Sequence, residues 1–61
     1  MKRRLMITID YEAGRQPYVL SALPQIDGLV HDVLLRRSGE PDSRRLSIPY
    51  LDVEVTDGRQ V

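Results

Sequence analysis

At 61 residues the chain has room for one small domain, and a domain of that size buries only about 60% of the surface its unfolded form exposes. Its residues are 41% apolar but include no Trp, Phe or Cys, so three tyrosines are its largest core anchors and neither a disulfide nor a thiolate-bound metal can reinforce it. Nine basic and nine acidic residues give a formal net charge of zero, which argues against a polyanion binder driven by bulk positive charge, and no apolar run approaches the ~20 residues that span a bilayer.

The basic start Lys2-Arg3-Arg4 leads into no signal-peptide hydrophobic core. The expectation is a cytoplasmic, non-membrane protein whose residues 1–61 form a single α+β domain, stabilised by a second chain. Between Arg4 and Tyr11 the residues alternate. Leu5, Ile7, Ile9 and Tyr11 share one face and Arg4, Met6, Thr8 and Asp10 the other, a period of two that predicts a half-buried strand. The strand ends in Glu12-Ala13-Gly14-Arg15, where Gly14 can take the positive φ of a turn.

Val19, Leu20, Leu23 and Ile26 then recur at helical spacing, and Pro17 suits a first helical turn because its missing N–H would have no partner there. Pro24 limits this helix to two or three turns. Residues 29–37 fit two descriptions. As a helix over 24–38, they put Ile26, Leu29, Val30, Val33 and Leu34 on one face, with Arg36 and Arg37 at the negative end of the dipole and Gly39 as the stop. As a strand, they open from Asp27-Gly28 and pair with the last segment, Leu35 opposite Leu46, Val33 opposite Ile48 and His31 opposite Tyr50. That register also sets Arg37 opposite Arg44 and Arg36 opposite Arg45, which is mildly unfavourable.

The last segment is predicted to be a strand. Leu46 and Ile48 share one parity and Leu51, Val53 and Val55 the other. A bulge or bend at Pro49 reconciles them, and the proline suits a sheet edge. Thr56-Asp57-Gly58-Arg59 reads as a closing turn. The preferred order is therefore β-α-β-β, an antiparallel sheet with one helix, completed by dimerisation. The alternative is β-β-α-β, with a short second element and the helix over 24–38.

The strand over 5–11, the turn Tyr11-Glu12-Ala13-Gly14, the helix carrying Val19, Leu20 and Leu23, and Ile26-Asp27-Gly28-Leu29-Val30 leading to a second strand together resemble the first elements of an ACT-type regulatory domain, a ferredoxin-like fold. The matching positions are Glu12, Gly14, Gly28 and Val30, and the resemblance covers about residues 5–56. This chain ends where that family's second helix and fourth strand begin. The resemblance implies a non-enzymatic, ligand-binding regulatory module. It would take an amino acid or similar metabolite at a homodimer interface, using Ala13, Gly14 and Arg15 with Val30 and His31 facing them. Independently, N–H groups at a helix start attract carboxylates, and Arg15 adds a charged donor.

Catalysis has little support. His31 is the single histidine, with Asp27 or Asp32 to orient it, but no activated nucleophile pattern accompanies it and one imidazole makes a poor metal site. No cofactor or metal is expected. Asp52, Glu54 and Asp57 read as the solvated side of the last strand. Arginine outnumbers lysine eight to one and falls in the pairs Arg3-Arg4, Arg36-Arg37 and Arg44-Arg45. Because guanidinium makes paired bonds to phosphate, nucleic-acid or anion binding through Arg36, Arg37, Arg44 and Arg45 is the second functional expectation. The neutral charge and the lack of Trp or Phe for base stacking weigh against it.

Overall fold

The computed structural model describes residues 2–36 and 42–60, the last two by their backbone alone. Five elements follow in order: β1 (Arg3–Tyr11), α1 (Gln16–Ser21), α2 (Leu23–Leu34), β2 (Ser43–Ile48) and β3 (Leu51–Gln60). The strands form one antiparallel sheet in the order β1-β3-β2. Since β1 and β2 each run antiparallel to β3, they run parallel to each other. The two helices make the crossover between them, a split β-α-β arrangement.

Pro24 explains the broken helix. It has no N–H to offer the carbonyl four residues back, and its ring crowds that carbonyl, so a continuous helix through it is disfavoured. The chain instead ends α1 at Ala22, whose N–H bonds the carbonyls of Tyr18 and Val19 at 3.1 Å. It restarts with Pro24 in the first turn of α2, where no N–H is needed. The expected helix from Pro17 is present, but there are two helices rather than one.

The strand expected over 29–37 is not formed. Residues 29–34 belong to α2, whose buried Ile26 and Val33 and half-buried Leu29 and Val30 make the helical stripe. The register of Leu35 with Leu46, Val33 with Ile48 and His31 with Tyr50 falls with it, because the helical period buries more of this apolar set against a sheet that β1 and β3 already supply. Gly28, read as part of an opening turn, lies inside α2. Arg37 and the expected stop at Gly39 lie outside the described residues.

The bend expected at Pro49 is a complete reversal. Ile48 pairs with Leu51 across a two-residue turn. Proline keeps φ negative at Pro49, and Tyr50 takes φ +71°, the pattern of a type II turn. Because Ile48 and Leu51 are cross-strand partners, they share a face, and so do Leu46 with Val53. The parity change is therefore the mark of a hairpin. Nor does the chain turn at 56–59: β3 continues through a bulge at Gly58, φ +123°, where the register with β1 shifts between Arg4 and Leu5.

The core sits between α2 and the β2–β3 hairpin, with which α2 makes most of its sheet contacts. Ala22, Ile26, Val33, Leu51, Val53 and Val55 are buried, and Val33 and Val55 have no exposed surface at all. Each of the Ile, Leu and Val side chains contributes about 1.5–3 kcal/mol by leaving water. The opposite face of the sheet, with Met6, Thr8, Asp10, Asp52 and Ser47, carries no covering layer among the described residues and is exposed.

Candidate functional site

Two turns meet at one end of the sheet. The first is Glu12 to Arg15, closed by Arg15 N–H donating to the Glu12 carbonyl at 3.0 Å, with Gly14 at φ +87° as its sequence required. The second is the Pro49-Tyr50 hairpin turn. Glu12 N–H joins them by donating to the Tyr50 carbonyl at 3.0 Å. Arg15 then begins α1 without a side-chain cap, which leaves its guanidinium for another role. That group lies 4.2 Å from the centroid of the Tyr50 ring and 5.6 Å from that of Tyr18. The two rings are tilted against each other with centroids 5.1 Å apart. Cation–π and edge-type ring contacts of this kind contribute about 0.5–1 kcal/mol each at partly exposed sites. They hold Tyr50 in a backbone conformation that costs a non-glycine residue roughly 1–2 kcal/mol.

The residues expected to bind a metabolite are thus only partly brought together. Ala13, Gly14 and Arg15 form the turn as read. Val30 packs half-buried against the core, and His31 is exposed on α2, its Nε2 3.4 Å from Asp27 Oδ2. Among the described residues neither takes part in the Arg15–Tyr18–Tyr50 cluster. The i, i+4 spacing of Asp27 and His31 does place them together, as the helical alternative implied.

The expected arginine site divides in the same way. Arg36 Nη1 donates to the Val33 carbonyl at 2.7 Å and to Asp57 Oδ2 at 3.1 Å, so it closes the end of α2 and ties it to β3. Arg44 and Arg45 fall on opposite faces of β2: Arg44 is half-buried on the helix side across from Val55, and Arg45 is on the open face, its Nε 3.3 Å from Glu54 Oε2. Arg37 lies outside the described residues.

Asp57 is a residue that the sequence placed wrongly. Rather than lining the solvated side with Asp52 and Glu54, it shares the helix side with Val55, its side chain 12% exposed between Arg36 and Arg3, the latter at 3.6 Å. The hydrogen bond from Arg36, helped by the charge of Arg3, holds its carboxyl below the ordinary aspartate value of 3.8 against the opposing effect of burial. The parity of position 57 with Val53 and Val55 was the available signal.

On the open face a concavity is lined by Thr8, Asp10, Arg45, Ser47, Asp52 and Glu54. Ser47 donates to Asp52 Oδ1 at 2.8 Å. Among the described residues no group of three or more His, Cys, Asp or Glu side chains is arranged to hold a metal, and no helix is long and apolar enough to cross a membrane.

A last feature is the apolar row on the helix side of β1. Ile7 faces Val55 in register and Tyr11 faces Leu51. Yet α2 sits over β2 and β3, so Ile7 is left 46% exposed and Tyr11 49%. No family model matches this chain, and neither a curated protein nor a solved structure proved similar to it.

Proposed function

We propose that the chain is a non-enzymatic interaction module that works through β1, with sensing of a small carboxylate metabolite such as an amino acid at the β1–α1 turn as its regulatory input. One observation carries the first part: Ile7, flanked in sequence by strand residues and in register with a fully buried valine, is nearly half exposed. Apolar surface left open beside a strand edge marks an association site in small domains. The metabolite part is supported by Arg15, which the Tyr50 ring pre-positions as a charged donor beside the turn. Nucleic-acid binding ranks lower, because Arg44 and Arg45 point to opposite sides of the sheet and Arg36 is engaged with Asp57.

Mapping by amide NMR separates these readings. Raising the protein concentration is expected to shift or broaden resonances of β1, and an amino-acid panel to shift those of residues 12–15. An oligonucleotide that shifts Arg44 and Arg45 in a salt-dependent way, with β1 unmoved throughout, overturns the proposal in favour of the nucleic-acid reading.

A further inference from the structure

β1 is an edge strand, with β3 on one side and no strand on the other among the described residues. Its open-face charges are poorly matched within the chain. Asp10 is in register with Asp52, and like charges opposite one another across a ladder are unfavourable. Among the described residues neither Arg4 nor Asp10 has an ion-pair partner. On the other face stands the uncovered row Leu5, Ile7, Ile9 and Tyr11.

From this pattern we infer that the occupant of the β1 edge is a second copy of the chain, paired antiparallel about Ile7. The inference rests on the proposal that β1 is the working surface. With the two-fold axis at Ile7, Arg4 lies opposite Asp10 of the second copy, Leu5 opposite Ile9, Met6 opposite Thr8 and Ile7 opposite its own counterpart. All nine residues of β1 are then paired. Moving the axis to Met6 sets Arg4 against Thr8, and moving it to Thr8 sets Arg4 against Glu12 and pairs only residues 5–11 of the strand. The axis at Ile7 alone combines full overlap with two Arg4–Asp10 matches. Each match also sets Arg4 of one copy beside the like-charged pair Asp10 and Asp52 of the other. Residues opposite each other share a face, so the two aliphatic rows merge on the helix side and the ion pairs lie on the open face. The product is a six-stranded sheet in the order β2-β3-β1-β1-β3-β2. The contact is isologous and closes on itself, so β1 is no longer an edge.

A charge swap tests the register. Sedimentation is measured for the wild type, Arg4→Asp, Asp10→Arg and the double variant, with Ile7→Lys alongside. A dimer is expected for the wild type, weakened at least about tenfold by either single change and restored to within about threefold by the double. Within one copy Asp10→Arg turns the like-charged register pair with Asp52 into an unlike one, and Arg4→Asp breaks no ion pair among the described residues, so loss of the dimer with an unchanged far-UV CD spectrum reports the contact between copies and not unfolding. A chain that is monomeric at hundreds of micromolar overturns the inference. So does a dimer that the double variant fails to restore; if Ile7→Lys still breaks that dimer, β1 remains the working surface in another register. A dimer indifferent to Ile7→Lys overturns both.

Discussion

The two flanks of β3 are built from similar residues and end up differently. On the β2 side, α2 lies across the hairpin and Val33, Val53 and Val55 are sealed. On the β1 side, Leu5, Ile7 and Ile9 present an equally apolar row, yet only the first and last are half-buried and Ile7 is open. One helix of 12 residues is about 18 Å long and roughly 10 Å across with its side chains, whereas three strands at about 4.8 Å spacing need more cover than that. A small chain can thus complete a core on one flank only, and the other flank keeps apolar side chains in water.

The sharpest way to break this contrast is to truncate an equivalent aliphatic on each side. Ile26→Ala, on the sealed flank, is expected to cost about 3 kcal/mol, and in a domain this small that lowers Tm by more than about 10 °C. Ile7→Ala is expected to cost under about 1 kcal/mol in the monomer, because its side chain is already half in water, while weakening self-association; thermal melts at two protein concentrations separate the two effects. Equal losses at both positions in dilute solution would erase the distinction between the flanks.

Asp57 joins the flanks, since Arg36 reaches it from the end of α2 and Arg3 from β1. Its folded-state value is depressed, so the stabilisation it gives is fully present above the unfolded aspartate value of 3.8 and is lost as pH falls through the lower folded value. Asp57→Asn is therefore expected to lower Tm at pH 7 and to flatten the acid limb of the Tm–pH curve below about pH 4. An acid limb as steep as the wild type's would assign it to other carboxylates.

Smaller effects refine the picture. Tyr50→Ala removes the ring that Arg15 and Tyr18 rest on but leaves the positive φ, and a loss of about 1 kcal/mol is expected by denaturant titration. Tyr50→Gly relieves the backbone at the same time and should be nearer neutral. Gly28→Ala places a methyl group in open space inside α2, and should gain about 0.5–1 kcal/mol on the sealed flank.

The sequence was most informative where one period dominated. β1 alternates cleanly and is found as read, and the apolar spacing from Ile26 to Val33 is helical in fact. Residues 29–35 were ambiguous because Leu, Val and His in that order satisfy both periods over so short a stretch; only the presence of β3 as a central strand decides against a strand there. The parity change at Pro49-Tyr50 was visible, but a bend and a two-residue hairpin make the same local mark and differ only in which residues pair. At Thr56-Asp57-Gly58-Arg59, turn-forming residues were overridden by pairing with β1, which turned Gly58 into a bulge. At the candidate site the turn at Gly14 was legible, because its backbone requirement is local. Tyr50 and Asp57 were not, because each acquires its partners from elements distant in sequence.

The cluster of Arg15, Tyr18 and Tyr50 has a practical consequence. With no Trp or Phe in the chain, the near-ultraviolet circular dichroism arises from tyrosines alone, and two of the three are locked ring to ring across the junction of α1 with the hairpin turn. That band is an intrinsic optical gauge of whether this end of the molecule is closed, while the far-ultraviolet band follows α2. An amino acid that settles beside Arg15 should therefore be visible as a change in the tyrosine band at constant helix signal, without any label being attached.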